Sequence, residues 1–101
     1  MKRTVVRYKT KPEKADENAG LIEKTFEELR AKAPQDVRYL ALRLADGTFV
    51  HFSVADTADG KSPIPSLDAF RAFQAGIKER CAEQPQSNDV TIVGNYRMLA
   101  E

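Results

Sequence analysis

Two alternating runs of apolar and polar residues, separated by Ala45-Asp46-Gly47, predict a β-hairpin. A three-residue loop that ends in Gly47 at positive φ places the leucines of the first run beside the apolar residues of the second. A two-residue turn would mix apolar and polar side chains on both faces, because a slip of one residue exchanges the faces. We therefore predict the three-residue loop. One face then holds Leu40, Leu42, Leu44, Val50, Phe52 and Val54, and the other holds Tyr39, Ala41, Arg43, Phe49, His51 and Ser53.

Helical periodicity is present in the sequence both before and after this hairpin. Over Glu13–Ala33, apolar residues recur at steps of three and four, which predicts a long amphipathic helix that ends at Pro34. After a loop rich in Gly, Pro and Ser, Ser66 is a candidate N-cap. The helix that begins there carries an apolar stripe over Leu67–Cys81.

Short runs of β-forming residues predict two further strands, at Thr4–Thr10 and Asp89–Arg97. The element order is therefore β-α-β-β-α-β. Right-handed connections of this kind predict an α+β, ferredoxin-like fold, with a four-stranded antiparallel sheet in the order 4-1-3-2 and both helices on one side. We expect all 101 residues to form this single domain.

Two helices leave the other face of the sheet open, and we expect the mixed face around Tyr39 and His51 to lie there. The expected open face also includes Val5, Arg7 and Lys9 from the first strand and Val93, Asn95 and Arg97 from the last. Covering several hundred Å² of apolar surface at ~25 cal/mol per Å² is worth on the order of 10 kcal/mol before association costs. We therefore expect a homodimer formed through the open sheet face.

The amino-acid composition limits the kinds of partner that the protein is expected to bind and the compartment that it suits. Lys and Arg number 16 against 15 Asp and Glu, so no large basic field is available to attract nucleic acid or a membrane surface. The single cysteine, Cys81, cannot form an internal disulfide, which suits a reducing compartment. The N-terminal residues lack the apolar region of a signal peptide, and no run reaches transmembrane length. A cytoplasmic protein is expected.

The element order, the Asp-Gly hairpin with its Phe49-Val50-His51-Phe52 strand, and the Val93-Gly-Asn-Tyr-Arg97 segment resemble the dimeric α/β-barrel superfamily. The nearest resemblance is to antibiotic-biosynthesis-monooxygenase-like small proteins, and it spans nearly the whole chain. It implies two sheets packed face to face as a barrel, with a small-molecule cleft in each subunit. Members include cofactor-free quinone-forming monooxygenases, lactone isomerases and haem-degrading oxygenases. The last group uses a Trp, His and Asn set, and this chain has no Trp.

His51, the only histidine, is the candidate general base, because its ordinary pKa lies near neutrality. Arg43, near it across the hairpin, is the candidate partner for a developing oxyanion. The predicted function is a cofactor-independent monooxygenase or isomerase that acts on a small aromatic or enolic compound. The predicted substrate contacts are Tyr39, Ser53, Phe49 and Asn95.

Other kinds of site have weaker support. His51 could instead fill an interface in a non-catalytic homodimeric ligand-binding or interaction domain. A metal site is not expected, because His51 and Cys81 do not form a recognised zinc set. The segment Asp59-Gly60-Lys61-Ser62 lacks the first glycine of a phosphate-binding loop. RNA binding through Phe49-Val50-His51-Phe52 is a third alternative, although Gly47 lies one position too close for the RNA-recognition pattern.

Overall fold

The computed structural model describes residues 2–99. Its sheet consists of β1 (Lys2–Thr10), β2 (Val37–Arg43), β3 (Thr48–Ala55) and β4 (Cys81–Asp89). Its helices are α1 (Ala15–Lys32), α2 (Asp68–Ala75) and α3 (Ile77–Arg80), with single 3-10 turns at Pro12–Lys14 and Ile64–Ser66. The strands are all antiparallel, in the order β2-β3-β1-β4, which is the predicted order 4-1-3-2. The α+β ferredoxin-like fold is confirmed.

The hairpin between β2 and β3 has the predicted register. Leu44 N donates to Thr48 O over 2.8 Å, and Gly47 at the end of the three-residue loop has φ 87°. A side chain other than hydrogen would be strained there, which explains the glycine. Leu40 then faces Phe52 across the two strands, so the apolar residues share one face as expected.

The prediction of which face is open was wrong. The helices cover the face of Tyr39 and His51, where the core side chains Tyr8, Phe49 and Phe73 are buried. The opposite face exposes Leu40, Leu42 and Leu44 by 43%, 49% and 43%. In β1 the predicted residues do face outward, but they share their face with the leucines instead of with His51. Val5 pairs with Phe52, and Arg7 pairs with Val50. The helices present aromatic and polar side chains of their own, which match the mixed face better than the purely aliphatic one.

The last strand lies earlier in the chain than predicted. The apolar stripe of the second predicted helix is cut at Gly76, and β4 occupies Cys81–Asp89. Because β4 runs antiparallel to β1 and Asp89 is already opposite Thr4, only Lys2 and Arg3 of β1 remain; Val90 N donates to Arg3 O over 3.1 Å, and the residues that follow soon pass the end of β1. The predicted strand at Asp89–Arg97 was therefore wrong. The open-face positions assigned to Val93, Asn95 and Arg97 were wrong with it.

The N-terminus of α2 is capped from α1 instead of by Ser66. The Glu28 carboxylate accepts hydrogen bonds from the backbone N–H groups of Asp68 (3.3 Å) and Ala69 (2.8 Å). These amides are among the first N–H groups of the helix, which have no partner within it. Ser66 Oγ donates to Pro63 O, within the preceding turn. Glu28 thus fixes α2 against α1. None of the helices within residues 2–99 has the length and apolar character needed to cross a bilayer.

Candidate active site

A cavity of about 580 Å³ lies between the helix-covered face of the sheet and the segment that carries α2 and α3. Its volume falls within the ~300–1,000 Å³ range of small-molecule sites. Strands β1 and β3 form its floor, and Phe70, Phe73 and Ile77 form an apolar wall. Polar groups converge at the inner end, where Tyr8, Tyr39 and His51 reach the cavity. The arrangement is that of an apolar ligand pocket with a small polar centre.

His51 lies between the hydroxyl groups of two tyrosines. Its Nε2 is 2.8 Å from Tyr8 Oη, and its Nδ1 is hydrogen-bonded to Tyr39 Oη. The rings are also in contact, with centroid separations of 5.3 Å for Tyr8 and 5.7 Å for Tyr39. The three side chains come from the three adjacent strands β1, β3 and β2, so the sheet itself sets their spacing. Both imidazole nitrogens are engaged by groups that can give or accept a proton.

Two buried polar side chains extend this chain of hydrogen bonds into the protein. Asn18 Nδ2 donates to Tyr8 Oη over 2.9 Å, and Arg80 Nε donates to Asn18 Oδ1 over 3.0 Å. Arg80 also donates to Phe73 O and lies over the Phe73 ring, 5.2 Å from its centroid. Because a guanidinium can only donate, it fixes the orientation of the Asn18 amide. Arg80, Asn18, Tyr8, His51 and Tyr39 form the hydrogen-bonded chain, a name we use below for these five side chains.

Burial controls the charge state of this group. It lowers the pKa of His51 from its ordinary 6.5 to about 4, so the imidazole is neutral at pH 7. Burial also raises the pKa of Tyr8 and of Tyr39, so both phenols stay protonated. For Tyr8, the Asn18 hydrogen bond and the positive charge of Arg80 act in the opposite direction by favouring the phenolate. The hydrogen-bonded chain therefore carries a single formal charge at neutral pH, on Arg80.

The hydrogen-bond pattern selects one tautomer of His51 when the cavity holds no ligand. Tyr8 Oη already accepts from Asn18, and within residues 2–99 it has no other partner than His51. If His51 carried its proton on Nε2, the Tyr8 proton would be buried without an acceptor, at a cost of roughly 1–3 kcal/mol. Tyr8 therefore donates to Nε2, and Nδ1–H donates to Tyr39. The hydroxyl proton of half-buried Tyr39 is then directed to the cavity.

The residues predicted from the sequence separate into two groups. Tyr39, His51 and Ser53 line the cavity together. Arg43, by contrast, forms an ion pair with Asp16 (3.0 Å), is 46% exposed, and does not line the cavity. Phe49, stacked on Tyr8 in the core at a centroid distance of 5.5 Å, does not line it either.

Asn95 does not line this cavity and lies in the segment after β4, where it lines a second cavity together with Tyr39. Its Oδ1 accepts from the backbone N–H groups of Met98 and Leu99, and its Nδ2 donates to Leu99 O. Asn95 thus holds a local turn. The aromatic arrangement expected for RNA is also absent from the open face, because Phe49 and His51 are buried under the helices and Phe52 is the one aromatic residue of that motif that faces outward.

Sequence reasoning missed Tyr8, Asn18 and Arg80. A usable signal exists for the two on helices, since Asn18 shares the stripe of Ala15 and Ile22, and Arg80 continues the spacing of Phe73 and Ile77. A polar residue at a core position of an amphipathic helix needs a buried partner. Within residues 2–99, no cluster of three or more His, Cys, Asp or Glu side chains is placed to hold a metal ion.

The fold closely matches several solved structures. One is a putative antibiotic biosynthesis monooxygenase from Caulobacter crescentus, with a TM-score of 0.74, 20% identity, and coverage of 92% of this chain and 90% of that one. Another is an antibiotic biosynthesis monooxygenase with a TM-score of 0.74, 17% identity, and coverage of 93% and 100%. The chain has the antibiotic-biosynthesis-monooxygenase-like fold. A third match of this kind, from Nitrosomonas europaea, has a TM-score of 0.73, 15% identity, and coverage of 91% and 89%.

These matches confirm the resemblance seen in the sequence, at the level of the fold. No protein-family model matches the chain, and no curated protein is similar to it in sequence. At identities of 20% and below, the antibiotic-biosynthesis-monooxygenase-like fold says nothing on its own about the substrate. An argument about the substrate must therefore rest on the residues that line the cavity.

Proposed function

We propose that this protein is a cofactor-independent enzyme, a monooxygenase or an isomerase, that acts on a small aromatic or enolic compound. The observation that carries the proposal is the position of His51, a neutral imidazole held between two tyrosine hydroxyls at the wall of a ring-sized apolar cavity. A side chain that only filled space in a non-catalytic domain would leave no such cavity beside it. The names of the structural matches point to the same class of reaction.

Both reactions begin with removal of a proton from a phenol or an enol. In the complex, the substrate hydroxyl donates to Tyr39 Oη and the Tyr39 proton turns to His51 Nδ1. The imidazole proton then lies on Nε2 and is donated to Tyr8 Oη, whose own proton turns to the cavity that Tyr8 lines. Proton transfer along this path leaves an imidazolium between two tyrosine oxygens and an oxyanion that accepts from Tyr39. Arg80 is two hydrogen bonds from Tyr8, through Asn18. Burial disfavours a lone imidazolium at His51, and the oxyanion stabilises it because the two opposite charges form together in the cavity.

The two reactions differ after this proton transfer. In an isomerase, the proton held at His51 returns to a different atom of the substrate. In a monooxygenase, dioxygen is the oxidant: a C–O bond forms at the ring carbon para to the oxyanion, and the O–O bond breaks. One oxygen atom remains as the second carbonyl of a quinone. The other leaves as water with the hydroxyl proton and the proton of that ring carbon.

We further propose that the leucine face pairs with its copy in a homodimer. Leu40, Leu42 and Leu44 are close to half exposed although they adjoin apolar neighbours on β3. Two sheets packed face to face lie ~10 Å apart and bury such side chains between them. Sedimentation at micromolar concentration should give a dimer that Leu42→Lys converts to monomers, and a monomeric wild-type chain would contradict this.

The single buried thiol, Cys81, suits a reducing cytoplasm.

Turnover of 1-naphthol to 1,4-naphthoquinone, followed by absorbance with the uncatalysed rate subtracted, tests the monooxygenase. His51→Gln and Tyr39→Phe should each lower kcat by about 100-fold or more, the usual contribution of a positioned acid or base. Arg43→Ala is the control, because its exposed ion pair with Asp16 lies outside the cavity. If His51→Gln keeps the wild-type rate, or if Arg43→Ala abolishes it while His51→Gln does not, the proposed site is wrong. For the isomerase, the same variants are compared on an enol lactone.

A further inference from the structure

The charges around the cavity are of one sign. Two lysines, Lys2 and Lys61, contribute to its lining, and no Asp or Glu does. Within residues 2–99, neither lysine ammonium has an ion-pair partner. Both lysines are exposed, so the cavity is edged by two solvated cations and its lining includes no anion.

Both lysines lie apart from the hydrogen-bonded chain in the lining of the cavity. Ser53 pairs with both Tyr39 and Thr4, so Tyr39 lies one step of two residues (~7 Å) along the sheet and two strands (~10 Å) across it from Lys2. Lys61 reaches the cavity from the loop after β3, which also brings the Ser62 hydroxyl to the lining. The two cations and the proton-transfer group therefore occupy separate places in the cavity, and Tyr39 is the member of that group that lies closest to Lys2 along the strands.

The carboxylate of Asp59, two residues before Lys61, holds the turn and forms no ion pair with the lysine. Asp59 accepts the backbone N–H of Lys61 over 3.0 Å and the Thr57 hydroxyl over 3.1 Å, which lowers the pKa of Asp59 and holds the loop in shape. The Lys61 side chain is thus presented by a turn whose acidic residue does not neutralise it. Gly60, at φ 71°, allows this turn.

A third cation, the guanidinium of Arg80, lies behind the hydrogen-bonded part of the cavity wall. Arg80 is 4% exposed, and among residues 2–99 its guanidinium bonds only neutral oxygens, those of Asn18 and Phe73. Buried charges in proteins are usually paired with an opposite charge. The uncompensated guanidinium and the two lysines together give the cavity a positive potential, and the low-polarity walls preserve it.

We propose that the compound bound in this cavity is an elongated aromatic or enolic acid, whose anionic group binds Lys2 and Lys61 while its hydroxyl meets Tyr39. This inference rests on the proposed function, because it takes the same cavity as the site. It adds the charge and the approximate shape of the substrate. A neutral ring compound of the same size would leave both lysines without a partner.

The test compares 6-hydroxy-2-naphthoate with its methyl ester and with 2-naphthol, by fluorescence titration without turnover. In the naphthoate, the hydroxyl and the carboxylate lie at opposite ends of a rigid ring system. We expect the wild-type protein to bind the naphthoate about tenfold more tightly than either neutral compound, a difference of ~1.4 kcal/mol. The double variant Lys2→Ala/Lys61→Ala should lose this preference and keep its affinity for 2-naphthol. Lys24→Ala, an exposed lysine of α1 outside the cavity, should keep the preference.

Equal affinity for the naphthoate and its ester, or a preference that survives in the double variant, would overturn the inference. So would a loss of the same size in Lys24→Ala, since it would show a response to net charge alone. Failure of the proposed enzyme is distinguishable from these results. A protein that binds the naphthoate through both lysines but turns over no phenol or enol would refute the catalytic proposal and support the anionic ligand.

Discussion

Acid titration of His51 should destabilise the folded protein by a predictable amount. In the unfolded chain the imidazole binds a proton near pH 6.5, whereas in the folded protein burial lowers its pKa to about 4. Between these pH values the unfolded state holds more protons, so the stability falls as the pH is lowered and is unaffected by His51 above pH 7. At ~1.4 kcal/mol per pH unit, the loss between pH 7 and pH 4 is about 3 kcal/mol.

The assay is urea unfolding of the wild-type protein and of His51→Gln at several pH values from 7 to 4. The glutamine removes the only histidine and cannot titrate, while the carboxylates titrate in both proteins and cancel in the comparison. The variant has a lower stability at pH 7, so the quantity to compare is the change with pH. Wild type should lose about 3 kcal/mol more than the variant. Parallel pH profiles would refute the burial of a neutral His51.

Two further predictions concern the local contacts. Glu28→Ala should lower the urea midpoint more than Lys32→Ala does. Both variants remove the Glu28–Lys32 ion pair (2.7 Å), but only Glu28→Ala also removes the cap of α2. Equal effects would show that the cap contributes nothing. ¹⁵N NMR of the protein without ligand at pH 7 should find the His51 proton on Nδ1. A proton on Nε2 would contradict the hydrogen-bond pattern through Tyr8 and Asn18.

The sequence predicts which side chains share a face of the sheet but not which face the helices cover. The alternation of Leu40, Leu42 and Leu44 with Tyr39 and Ala41 determines the register, because any slip would mix the faces. We expected the apolar face inside and placed His51 outside. In the proposed homodimer the sheet is covered by helices on one side and by a second sheet on the other, so apolarity alone would not distinguish the two faces.

The last strand and the hydrogen-bonded chain depend on tertiary structure. Val90-Thr91-Ile92-Val93 has a higher β-propensity than the true β4 segment, which contains Pro85. Strand β1, however, pairs with the β4 segment over Thr4–Thr10 and bonds only to Val90 of the other segment. Proline is tolerated there because β4 is an edge strand. Asn18 and Arg80 are 62 positions apart and meet only in the folded chain.

The most direct test of the central claim is the NMR response of His51 to 1-naphthol. As the only histidine, it gives a single set of ring resonances. If the cavity beside Tyr39 is the site at which phenols bind, these resonances should shift saturably as 1-naphthol is added, and the shift should be much smaller in Tyr39→Phe. Resonances that stay in place while 1-naphthol binds would show that the ligand lies elsewhere, and the account of His51 as the acceptor of its proton would be wrong.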